Sequence, residues 1–214
     1  MNSVRVFCEG AFQTNTYICS VNSKSFVIDP AFMLQKDCDA AISQINSCYS
    51  VLLTHNHLDH IRGLSFIDEN TPVYLHETDY ENLTPDYLKR AYFAYGSPLF
   101  KNDREFNSFV QHVMNMKKHI IPVKDKDCIE NTFTVMHTPG HTSGSACFLR
   151  NDILFTGDTM FYNSYGRYDL ESGSYSDLTL SLKKLCTLPD ETVIYPGHGD
   201  KSIMKYEKPL YRCL

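Results

Sequence analysis

Between residues 55 and 60 the chain reads His-Asn-His-Leu-Asp-His, so four potential metal-binding side chains fall within six residues. They follow a short apolar run, 49–53, of the kind that forms a buried strand. Imidazole nitrogen and carboxylate oxygen are the donors that a borderline divalent ion such as zinc prefers. In a turn that leaves a strand, alternate residues point to one side, so His55 and His57 can grip one ion. Asp59 and His60, opening the next helix, can reach a second ion close by. The plain alternative is a solvated His-rich turn.

Three more candidate ligands decide between the two. His141 stands in Thr-Pro-Gly-His-Thr, Asp158 in Thr-Gly-Asp-Thr and His198 in Pro-Gly-His-Gly. In each case an apolar β segment ends in Gly and then presents a His or an Asp. Glycine lets the backbone turn tightly and approach a crowded ion. One such strand end has an ordinary reading as a cap or a surface histidine, but three beside a complete HxHxDH do not.

The rest of the chain suits a globular enzyme. The 214 residues carry 20 Lys+Arg and 25 Asp+Glu, a net charge of −5, which disfavours nucleic acid as a partner. No apolar run is long enough to cross a membrane, and the N-terminus lacks the pattern of a secretory signal. A cytoplasmic location is the expectation. Its eight cysteines show no CxxC pairing and read as reduced, buried, small hydrophobes. Strands are expected at 4–7, 16–20, 25–29, 49–53, 73–75, 119–123, 132–138, 145–149, 152–156 and 192–195, with helices at 33–47, 59–69 and 175–186. Residues 77–118, with eight aromatics between Tyr80 and Phe109, read as a helical insertion in a single domain spanning 1–214. The order of elements predicts a mixed sheet system with helices outside. His137 reads as a structural residue near the site, and His76, His112 and His119 as ordinary polar residues.

Taken in order, Asp29 in Val-Ile-Asp-Pro, HxHxDH at 55–60, His141, Asp158 and His198 resemble the metallo-β-lactamase superfamily. The resemblance implies an α/β (α+β) fold, a four-layer αββα sandwich with a metal site at the edge of its two sheets. It implies two divalent ions, zinc first, with iron or manganese as alternatives. It assigns His55, His57 and His141 to one ion and Asp59, His60 and His198 to the other, with Asp158 bridging. Asp29 would stand behind the ligands and order the metal-binding loop. A hydroxide bridging such a pair is available near neutral pH, because metal binding lowers the pKa of water to roughly 7. Asp59 would orient that nucleophile and accept its proton.

Within the superfamily, Asp158 is not the thiolate of some β-lactamases, and His57 is not the Glu of the flavodiiron pattern. Gly157-Asp158-Thr159-Met160-Phe161 with Gly166-Arg167-Tyr168-Asp169-Leu170 is similar to the GDxLF…GRxD segment of glyoxalase II-like hydrolases, which cleave thioesters such as S-lactoylglutathione. Arg167 falls where those enzymes place a Lys near glutathione; a structural pairing with Asp169 is the equal alternative. The chain ends 16 residues after His198, and Gly199-Asp200 replaces the Glu-Tyr of the full enzymes, so their glutathione contacts do not carry over. Tyr92, Phe93 and Tyr95 are the candidates to roof the cleft over a small thioester substrate. The alternatives are a mononuclear iron persulfide dioxygenase using His55, His141 and Asp158, or a lactone, phosphodiester or β-lactam hydrolase on the same centre. A monomer or homodimer is expected.

Overall fold

Strand periodicity sorts the apolar residues into three layers, and those layers set the architecture. The computed structural model describes residues 3–32, 34–43 and 49–211. One sheet contains Ser3–Glu9 (β1), Thr14–Val21 (β2), Lys24–Ile28 (β3), Tyr49–Leu52 (β4), Val73–His76 (β5) and Ile120–Val123 (β6), in that order. Its first three strands are antiparallel and the rest parallel. The other contains Cys128–Ile129 (β7), Phe133–His137 (β8), Ala146–Arg150 (β9), Ile153–Gly157 (β10), Val193–Pro196 (β11) and Ser202–Ile203 (β12), again in sequence order across the sheet. Only β10 and β11 run parallel there. The helices are Gln35–Ile42 (α1), Leu58–Ile61 (α2), Glu77–Asn82 (α3), Pro85–Ala91 (α4), Asp103–Met116 (α5), Tyr175–Leu185 (α6) and Met204–Tyr211 (α7).

Successive residues of a strand face opposite ways. Tyr17, Phe26, Ile28 and Leu52 of the first sheet meet Phe133, Val135, Phe148 and Phe155 of the second in the central layer. Their neighbours Ile18, Val27, Val51 and Leu53 face outward under α1, α2, α4 and α5. Cys147, Leu154 and Ile194 face outward on the other side, under Leu178, Leu182 and Leu185 of α6 and Met204 and Tyr211 of α7. The strands are apolar on both faces because both faces are covered. Each large side chain so buried contributes roughly 1.5–3 kcal/mol. The result is the expected four-layer αββα sandwich.

The aromatic-rich segment packs into the first outer layer. Thr84 caps α4 through Tyr87 N at 3.2 Å, with Pro85 in its first turn. Asn102 caps α5 through Glu105 N at 3.0 Å. Arg62, 2% exposed, joins this segment to the strand–helix loop. Its guanidinium donates to Glu105 Oε1 at 2.6 Å and lies 4.7 Å from the centre of the Phe100 ring.

Several boundaries differ from expectation. The described helix near residue 40 covers only Gln35–Ile42, and the remainder of the expected 33–47 helix includes positions outside the described residues. The 59–69 segment is one turn of α-helix followed by a tighter 3₁₀ stretch, Arg62–Phe66. The two-residue strands β7 and β12 are too short to carry a periodicity. Among the described cysteines, Cys19, Cys38 and Cys147 are buried, but Cys8 and Cys128 are exposed, so the reading of all as buried is corrected; Cys48 and Cys213 lie outside the described residues.

Candidate metal centre

Parallel and antiparallel pairing bring the C-terminal ends of β3, β4, β8, β10 and β11 to one edge of the sandwich. Those ends carry Asp29, His55 to His60, His141, Asp158 and His198. The edges are stitched across the two sheets: Ala146 N donates to Thr54 O at 2.8 Å and Asn15 N to Gly197 O at 2.7 Å. Gly197 is required by space, since a Cβ there would lie 2.2 Å from Asp158 Oδ1 and 2.7 Å from His60 Cε1.

All seven expected ligands converge. Donor atoms of His55, His57 and His141 lie within 4.8 Å of one another, as do those of Asp59, His60 and His198, and those of His55, His60 and Asp158. Hydrogen bonds on the far ring nitrogens set which nitrogen faces inward. Thr54 Oγ1 donates to Asp29 Oδ2 at 2.6 Å and so accepts from His55 Nδ1 at 3.0 Å. His60 Nδ1 donates to Asp29 Oδ2 at 2.9 Å, His141 Nδ1 to Arg167 O at 2.6 Å and His198 Nδ1 to Phe12 O at 3.0 Å. The Nε2 atoms therefore point inward, the arrangement typical of metal-binding histidines. Asp29 also accepts from Thr54 N at 2.7 Å, which places it behind the ligand loop.

The donor set fits metal ions. His55 Nε2 and His141 Nε2 face each other at 3.2 Å, two lone pairs that a cation between them would reconcile. His60 Nε2 and Asp158 Oδ1 are buried 3.3 Å apart and, among the described residues, neither makes a hydrogen bond of good geometry. Burial, then neighbouring imidazoles, hold His55 and His57 well below the usual histidine range, keeping them neutral. Burial also lowers His141. Burial opposes charge on His60 and His198 as well, but the carboxylates outweigh it: Asp59, Asp158 and Asp29 raise His60 well above its ordinary value, and Asp158 and Asp59 push His198 up to about 10. Burial would raise Asp59 and Asp158, yet His60 foremost holds both well below the usual carboxylate range. The side of the cluster around Asp59 and Asp158 thus favours positive charge, and the side around His55, His57 and His141 offers neutral imidazoles.

A cavity of about 280 Å³ opens on these residues. Phe12, Tyr95, Arg167 and Leu170 complete its wall. Tyr95 sits in a π-helical turn, Tyr92–Gly96, and its hydroxyl accepts from Leu58 N at 3.4 Å. Its two companions do not line the cavity. Tyr92 is buried, stacked on Phe106 at 4.1 Å and bonded through its hydroxyl to Asp103 at 2.6 Å. Phe93 is 71% exposed. Phe93 is one residue from Tyr92 and two from Tyr95, spacings that turn it to another face of the helix. Arg167 borders the cavity, and its guanidinium pairs with both oxygens of Asp169 at 2.8 and 2.9 Å.

The structure adds residues that sequence reasoning passed over. Thr14 Oγ1 donates to Asp59 Oδ2 at 2.8 Å. Asp79, fully buried in α3, accepts from Asn56 N, Thr142 Oγ1 and Gly144 N. Burial pushes its carboxyl up to about 6, against those three hydrogen bonds. Neither residue belongs to a spaced motif; a carboxylate in the first turn after a strand is the only local signal for Asp79. His76 and His137 stack at 3.9 Å, with His137 Nε2 bonded to Ser143 O.

The chain belongs to the metallo-beta-lactamase superfamily, whose family model matches residues 10–198. It is 30% identical over 201 residues to a "probable metallo-hydrolase" of Streptococcus pyogenes, covering 91% of this chain and 82% of that one. It is 32% identical over 150 residues to the hydroxyacylglutathione hydrolase of Tolumonas auensis, covering 70% of this chain and 47% of the relative. The crystal structure of TTHA1623 in a di-iron-bound form superposes with a TM-score of 0.77 at 27% identity, covering 98% of this chain and 100% of that one. Among the described residues no helix is long and apolar enough to cross a membrane.

Proposed function

We propose that this protein is a dinuclear metal-dependent hydrolase of the glyoxalase II-like branch, cleaving small thioesters in the cytoplasm, with zinc as the working metal. The observation that carries the reading is the convergence of five histidines and two aspartates, with the inner nitrogen of four of those histidines set by an outer hydrogen bond. The shared apolar layer supports treating 1–214 as one domain with 77–118 as its helical insertion. Likeness over 70% of the chain to a hydroxyacylglutathione hydrolase supports the thioester.

His55, His57 and His141 would hold one ion and Asp59, His60 and His198 the other, with Asp158 between. Bound there, the metals supply Lewis acidity and a water activated near neutral pH. Asp59, fixed by Thr14 and kept ionised, would orient such a water and accept its proton. Tyr95 stays protonated, because burial and then Asp59 raise its phenol. With its oxygen accepting from Leu58 N, its O–H is available to donate to a substrate oxygen in the cavity. The cavity admits a small acyl group between Phe12 and Leu170, and Arg167 at the wall offers a cation to an acidic leaving thiol.

Elemental analysis of the purified protein, followed by a panel of thioesters and a persulfide, tests this. About two zinc equivalents per chain with thioester turnover are expected. One iron per chain with oxygen uptake on the persulfide would replace the reading by the dioxygenase.

A further inference from the structure

We propose that Asp79 is a positioning residue for the metal centre: its carboxylate locks the loop carrying His55 and His57 to the loop carrying His141 and so sets the spacing of these three imidazoles. The inference rests on reading those histidines as ligands.

Asp79 Oδ2 accepts from Asn56 N at 3.0 Å and from Thr142 Oγ1 at 2.9 Å, and Oδ1 accepts from Gly144 N at 2.9 Å. Its backbone carbonyl accepts from Asn56 Nδ2 at 3.1 Å. Asn56 stands between His55 and His57, and Thr142 follows His141, so two of the three donors are one residue from a candidate ligand; Gly144 lies three residues beyond His141 on the same loop. Both loops are held in turn: Tyr87 donates to Asn56 Oδ1 at 2.6 Å, and the Thr142 and Ser145 hydroxyls lie 2.8 Å apart. The second loop is built against the carboxylate, since a Cβ on Gly144 would lie 2.4 Å from both Asp79 N and Asp79 Oδ1.

Among the described residues Asp79 forms no ion pair. A carboxylate buried without a counter-ion is strongly disfavoured unless donors satisfy it. A neutral apolar side chain would avoid that cost in α3. It could not accept from three donors on two loops at once, which is what holds the ligand loops in register. The clamp reaches the His55, His57 and His141 group and makes no contact of this kind with Asp59, His60 or His198.

The test is zinc titration against a chromophoric chelator, comparing wild type with Asp79→Asn and Thr142→Val. Asp79→Asn keeps the shape but turns one acceptor into a donor, and is expected to weaken one zinc equivalent by about 10–100-fold while the other is unchanged. Thr142→Val removes a single donor and is expected to weaken the same equivalent by a smaller factor; it carries the test if Asp79→Asn does not fold. A variant that melts at a lower temperature yet binds both equivalents as tightly as wild type overturns the inference and leaves the metal centre intact. Wild-type protein that binds no zinc overturns the proposed function itself.

Discussion

Four of the five clustered histidines have their outer nitrogen bonded to an oxygen, two of those bonds ending on backbone carbonyls. Side-chain direction therefore depends on residues far away in sequence, such as Arg167 for His141 and Phe12 for His198. The same dependence separates Tyr92 from Tyr95. Tyr92→Ala is expected to lower unfolding stability by about 3–5 kcal/mol, since it empties an aromatic stack. Tyr95→Phe is expected to leave the denaturation midpoint nearly unchanged and to lower kcat/KM about 10-fold, the worth of one lost hydrogen bond. Equal effects of the two changes on both measurements would contradict the assignment. HxHxDH was legible because all its members lie on one turn, whereas Asp79 was not, because its three partners lie 23 to 65 residues away.

At the level of elements, β5 and β8 end side by side where their terminal histidines stack. Burial foremost, then the neighbouring His137, lowers His76 to about 4. The folded protein thus holds fewer protons than the unfolded chain between that value and the ordinary histidine pKa of about 6.5. The stability from His76 is present above the upper limit and is lost as pH falls through the lower one. Comparing urea unfolding of wild type and His76→Gln, we expect the wild-type advantage at about pH 7 to shrink by on the order of 1–2 kcal/mol at about pH 4.5. A constant difference would remove His76 from the acid response. The long elements were readable from periodicity, as in α5, where Phe106, Phe109, Val113 and Met116 mark one buried face. The pairs β7 and β12 were not, because two residues define no period.

For the whole molecule, the candidate metal centre draws residues from both sheets at one edge, so metal binding there would be coupled to folding. Zinc at about 100 times its Kd is expected to add about 2.7 kcal/mol to unfolding. Removing it with a chelator should lower Tm by roughly 5–10 °C for a chain of this size. An unchanged melting curve would mean that the cluster does not bind zinc in the folded state. The sequence by itself determined which residues can donate to a metal and that they follow apolar strand segments. These follow from chemistry and from a two-residue repeat, both local properties. Only the tertiary structure decided which donor atoms lie within 4.8 Å of one another, which aromatic reaches the cavity and which carboxylate bridges the two histidine-bearing loops. Those outcomes depend on sheet order and on the packing of helices over it, which place residues far apart in the chain within hydrogen-bonding distance.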